Sequence, residues 1–159
     1  MQKVNEYFNR FVEIVSEILL VVMTIIVIWT VFSRYFLNKT PAWGEETALL
    51  CMVWFGFLSM AIGVRDNRHI AVDLVVKNLP ASAKAFLSVI NKILILIFAV
   101  FMIVEGTKMS IVATKNYLPG IKLNSSILYA PVPVSGAAII YYILTSFFRK
   151  DVEGENGDL

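Results

Sequence analysis

The sequence predicts an all-α integral membrane protein. It has four transmembrane helices, both termini on the cytoplasmic side, and a short cytoplasmic interfacial helix between the second and third spans. Four apolar stretches, centred near Ile25, Phe55, Ile97 and Ile139, take up roughly half of the chain. Each is long enough to cross the ~30 Å hydrocarbon core of a bilayer as a helix. Thr47 to Val64 carries no ionisable side chain except Cys51, and Leu123 to Phe148 carries no charge at all. A water-soluble domain of this size has little reason to contain such runs. The remaining charge lies in loop-sized segments between them.

With 159 residues, 58% of them hydrophobic, the chain can build one small helical bundle over 1–159 and no separate soluble domain. The net charge of +2 is dispersed, so no nucleic-acid footprint is visible, and the only acidic tail is the short polar end Asp151 to Leu159. Cys51 is the only cysteine and falls inside the second apolar run. It can form no internal disulfide and is expected to pack as a small hydrophobe. The first apolar run exceeds the about 7–15 residues of a signal-peptide core and is followed by Ser33-Arg34-Tyr35-Phe36, not by a small-residue cleavage site. It is expected to remain as a membrane helix.

Glu6, Arg10, Glu13 and Glu17 recur at three- to four-residue spacing. They mark the polar face of a helix that starts before its span, 11–33. Thr40-Pro41 reads as an N-cap followed by proline at the first helical position, opening a second span over 41–64. Beyond Val64 the chain turns polar at Arg65-Asp66-Asn67-Arg68-His69, after which His69, Asp73 and Lys77 share one helical face. This predicts a short helix lying flat on the cytoplasmic surface. An alternating strand is the competing reading, but a lone strand would leave its backbone groups unpaired beside lipid. Pro80 opens a third span over 81–105, whose early Lys84, Ser88, Asn91 and Lys92 cluster on one side and whose helix protrudes past Glu105 towards Pro119-Gly120. A fourth span covers 131–149.

Basic residues set the orientation. With the N-terminus inside, the cytoplasmic side holds Lys3, Arg10, Arg65, Arg68, Lys77, Lys84, Arg149 and Lys150, and Lys92 besides; the outer side holds Arg34, Lys39, Lys108, Lys115 and Lys122.

Nothing in the sequence assembles a catalytic or metal-binding set. His69 is the only histidine and no paired Cys/His spacing exists, which excludes a zinc site and a bis-histidine haem anchor. His69 is most simply a solvated interfacial residue. Glu17, about a turn inside the first span, is the strongest positional candidate for a proton or ion site, although Glu13 and Glu17 are also placed to face water or partner helices. At the outer end of the second helix, Trp43 suits the headgroup zone, and Glu45 and Glu46 suit the positive end of a helix dipole. A sharper reading pairs Arg34 with Glu45 or Glu46 to fix the first hairpin. Two small-residue patches, Gly56, Ser59 and Gly63 on the second helix and Ser135-Gly136-Ala137-Ala138 on the fourth, allow close helix approach. Packing within the bundle needs one of them; a membrane partner can use the other.

The block Arg34-Tyr35-Phe36, Pro41-Ala42-Trp43-Gly44-Glu45-Glu46, Trp54, Arg65 and Arg68-His69-Ile70-Ala71-Val72-Asp73 closely resembles the small transmembrane subunit of tripartite ATP-independent periplasmic (TRAP) transporters, the DctQ-like family. The close match runs from Arg34 to Asp73. Ser59 stands where that family commonly has glycine, and Tyr129-Ala130-Pro131-Val132-Pro133 follows its pattern only loosely. The resemblance implies a non-catalytic scaffold without cofactors of its own, in the bacterial inner membrane. Its partners would be membrane lipids, a large multi-span subunit that moves as an elevator and carries the substrate and Na+ sites, and a periplasmic substrate-binding protein. The cargo would be an organic acid such as sialic acid or a C4-dicarboxylate, taken up by sodium-coupled symport. Arg34, Trp43, Glu45, Glu46, Trp54, Ser59 and Gly63 would then be structural or interface residues. Arg65, Arg68, His69, Asp73 and Lys77 would form the cytoplasmic interfacial segment.

Two other functions compete. A small four-helix exporter would use Glu17 to exchange protons for drugs, and an anchor subunit of an unrelated membrane complex would have a partner but no coupled uptake.

Overall fold

The computed structural model describes residues 2–66 and 81–155. Five helices account for most of them: α1 (Gln2–Phe36), α2 (Ala42–Arg65), α3 (Ala81–Ala113), the four-residue α4 (Ser126–Tyr129) and α5 (Pro131–Glu155). Among the described residues, four stretches are long and apolar enough to cross a membrane: Glu6–Phe36, Ala42–Arg65, Val89–Ala113 and Ser126–Thr145. Among the described residues there is no strand, only an isolated antiparallel bridge between Tyr117 and Asn124.

The helices outrun the spans read from hydropathy. α1 begins well before residue 11, α3 continues to Ala113, and α5 to Glu155. Hydropathy marks where the bilayer ends, whereas helical hydrogen bonding continues through Glu6 to Arg10 or Thr107 to Ala113 because nothing there breaks it. The N-cap of α2 is a correction of a different kind. Pro41 itself occupies that position, with φ −70° and ψ 119°, and no side chain caps the helix, so Thr40 does not serve. The predicted interfacial helix, with Arg68, His69, Asp73 and Lys77, lies outside the described residues.

The turn between α1 and α2 is built around Ser33. Its carbonyl accepts the N–H groups of Leu37 (3.1 Å) and Lys39 (3.3 Å), and its hydroxyl donates to the Lys39 carbonyl at 2.7 Å. Asn38 makes the reversal in the left-handed region, φ 50°, which asparagine tolerates better than most residues.

α2 and α5 lie in the middle, with α1 against α2 and α3 against α5, giving a row of helices. Burial is greatest for the last span, 39% inside the protein, and least for the first, 11%, with the second and third equal at 17%. The core is made by Ala61 of α2, Ala99 and Met102 of α3, and Ala138, Ile139 and Tyr142 of α5. The alanines among them matter because, in lipid, close backbone approach and dispersion replace the hydrophobic effect as the packing force. At Gly136 a Cβ would lie 2.9 Å from the Ala99 carbonyl oxygen, so only glycine lets α5 meet α3 here. Cys51 is a free, buried thiol.

Candidate functional site

Antiparallel pairing of α1 and α2 brings Glu13 and Arg65 to one level, since each lies the same number of residues from the hairpin turn. Arg65 donates from Nη2 to Glu13 Oε1 at 2.5 Å and from Nε to Asp66 Oδ1 at 2.8 Å. The hydroxyl of Tyr142, on α5, is buried within electrostatic range of both Arg65 and Glu13. Its ring lies 5.9 Å from that of Phe8 on α1. One guanidinium thus ties the N-terminal half of α1 to the C-terminal end of α2, beside α5. Beside it a cleft opens between α1 and α2, lined among others by Glu17, Leu20, Phe55, Ser59 and Gly63. Glu17 is exposed and pairs with no described residue.

At the opposite end the sharper reading of the first hairpin fails. Arg34 makes no ion pair with Glu45 or Glu46 among the described residues. Glu46 points elsewhere: its Oε2 accepts the backbone N–H groups of Gly120 at 2.8 Å and Ile121 at 3.0 Å. Two amides converging on one carboxylate oxygen compensate its charge better than an exposed arginine on a mobile side chain. The contact is close enough that a Cβ on Gly120 would run into the Ala42 carbonyl, so glycine is required there too. The loop is further closed by Leu118 N–H to the Leu123 carbonyl (2.8 Å) and Ser125 N–H to the Asn116 carbonyl (2.9 Å). The Asn124 side chain adds bonds to the Thr114 carbonyl (2.8 Å) and the Ser126 N–H (2.9 Å).

Trp54 acts one step along. Pro131 has no N–H with which to bond the Ile127 carbonyl four residues earlier, and the Trp54 indole Nε1–H donates to that carbonyl at 3.0 Å instead. Neither this bond nor the Glu46 clamp was visible in the sequence. The signal that hinted at the first was the proline-bearing start of the last span, which guarantees an orphan carbonyl. Trp43 is 43% exposed at the same end, as an interfacial anchor is, and Glu45 is exposed beside it.

The two small-residue patches divide their roles. Ser135 and Gly136 are consumed inside the bundle, with Ser135 fully buried. Gly56 and Gly63 would accept a Cβ with nothing within 4 Å, so the α2 patch is open. Large apolar side chains are exposed along α1 and α3, including Ile18, Ile25 and Ile28, and Ile93, Ile97 and Phe101. Among the described residues, no three His, Cys, Asp or Glu side chains group to hold a metal.

The comparisons agree with this geometry. A TRAP transporter small permease protein of Haemophilus influenzae, provisionally so named, is 28% identical over 154 residues, covering 93% of this chain and 95% of that protein. The sialic acid TRAP transporter small permease protein SiaQ of Vibrio cholerae is 22% identical, covering 94% of this chain and 86% of its own. The sialic acid TRAP transporter permease protein SiaT of Haemophilus influenzae is 25% identical over 92 residues, which are 58% of this chain but 15% of SiaT. The family model for the DctQ component matches residues 23–152. With four candidate spans and a match of that extent, the chain belongs to the DctQ component of the tripartite ATP-independent periplasmic transporters.

Proposed function

We propose that this chain is the fixed scaffold of a sodium-coupled TRAP transporter in the bacterial inner membrane. It holds a large elevator-type subunit in place and helps dock the periplasmic substrate-binding protein for uptake of an organic acid. As a small permease subunit it is a transporter component and not an enzyme. The observation that carries the scaffold reading is the row of helices, in which the first three spans bury only 11–17% of their residues inside this chain. Surface of that extent, next to the open Gly56–Gly63 patch, suits a second membrane polypeptide. The comparison with SiaT supports it: a segment like more than half of this chain occurs within a much longer TRAP transporter permease protein. Na+ and the solute belong to the large subunit. Sialic acid and C4-dicarboxylates are the candidate cargo, the first being named for SiaQ. The exporter alternative loses ground because the family is one of multi-component transporters.

Reconstitution tests the proposal. Vesicles containing this chain alone should take up no solute; adding the large subunit, the binding protein and an inward sodium gradient should start uptake. Transport by the chain alone, abolished by Glu17→Gln, would overturn it.

A further inference from the structure

The loop between α3 and α4 is more tightly built than a connection needs to be. Twelve residues span Thr114 to Ser125, and their shape is fixed from outside by Glu46 and from within by Asn124. The side chains it displays are not those of a merely solvated turn. Tyr117 is 68% exposed and Leu123 44% exposed, and Lys115 and Lys122 are exposed with no ion pair among the described residues. From Gly106 to Lys150 the sequence contains no Asp or Glu, so the loop has no acid of its own. Among the described residues, the carboxylate that reaches it, Glu46, is occupied by backbone amides.

We infer that this loop is a preorganised docking surface for an acidic face of a soluble protein. Lys115 and Lys122 supply the charge, Tyr117 and Leu123 the apolar contact, and Glu46 acts as a positioning residue from beneath. The inference rests on the scaffold reading, under which that soluble protein is the substrate-binding protein. A protein is favoured over phospholipid headgroups because a fluid headgroup layer is satisfied by lysines on any flexible loop. A fixed shape with an exposed tyrosine instead reduces the ordering cost of binding one defined partner. Unpaired lysines raise the encounter rate with an acidic surface, an effect that salt screens.

The experiment uses the complete complex with its large subunit in vesicles, supplied with purified binding protein. In Lys115→Glu/Lys122→Glu the binding-protein concentration giving half-maximal uptake should rise roughly tenfold and lose most of its salt dependence. The amount of large subunit purified with the chain should not change. Glu46→Ala should reproduce part of the rise although it removes no surface lysine, and Glu46→Gln, which keeps an acceptor oxygen, should do so less. An unchanged half-maximal concentration in the assembled double variant overturns the inference. So does a variant that loses only its affinity for anionic vesicles, since the lysines then serve lipid. Absence of binding-protein-dependent uptake in the unmodified complex is a separate result, and it overturns the scaffold reading itself.

Discussion

Trp54 and Pro131 form a unit although they are far apart in sequence. The proline removes a donor, and the indole supplies one from a neighbouring helix at 3.0 Å. Trp54→Phe keeps the ring and deletes the donor, leaving the Ile127 carbonyl without this partner. It should cost about 0.5–1.5 kcal/mol, read as a lower midpoint in thermal unfolding in detergent. Glu46→Ala should leave the spans intact, yet speed hydrogen exchange at the Gly120 and Ile121 amides by one to two orders of magnitude, about the loss of a charge-assisted bond. Both residues stood out in the sequence, but their partners did not. Each bond spans more than 70 positions, 73 for Trp54 and 74 for Glu46 with Gly120. Such a pairing is decided by which helices become neighbours, and local pattern carries no record of that. Arg34 shows the converse: charge and proximity in sequence suggested a partner that two backbone amides displaced.

The spanning elements were legible because a bilayer admits little besides apolar helices. Their ends and their neighbours were less so, since hydropathy senses lipid and not hydrogen bonding. The small-residue patches show what depends on neighbours. Gly136 meets the backbone of Ala99, whereas Gly56 and Gly63 meet nothing. Gly136→Val should therefore force α3 and α5 apart and prevent stable folding. Gly56→Val should leave the purified chain folded by circular dichroism while reducing recovery of the large subunit. The Glu13–Arg65 pair between α1 and α2 makes a second test at this scale. Arg65→Gln leaves Glu13 beside Asp66 without the cation that separates them. Adding Glu13→Gln should restore part of the lost stability, with a coupling of about 0.5–3 kcal/mol in a double-mutant cycle.

For the whole molecule the consequential property is orientation, because the Thr114 to Ser125 loop can meet a periplasmic protein only if that end of the row faces outwards. Connectivity puts Arg10 and Arg65 at one end and the loop at the other. The basic residues then choose between the two insertions. By the sequence count eight are expected on the N-terminal side, nine with Lys92, against five at the loop end, and the positive-inside rule then predicts that the richer side stays in the cytoplasm. The chain lends itself to a direct measurement, since its one cysteine, Cys51, is buried and can be replaced by alanine to give a silent background. Lys115→Cys in that background should react with a membrane-impermeant maleimide added to intact spheroplasts. Arg10→Cys should react only after the membrane is opened. Labelling in the reverse order would place the loop in the cytoplasm, where no periplasmic protein can reach it, and would remove the docking surface together with the orientation.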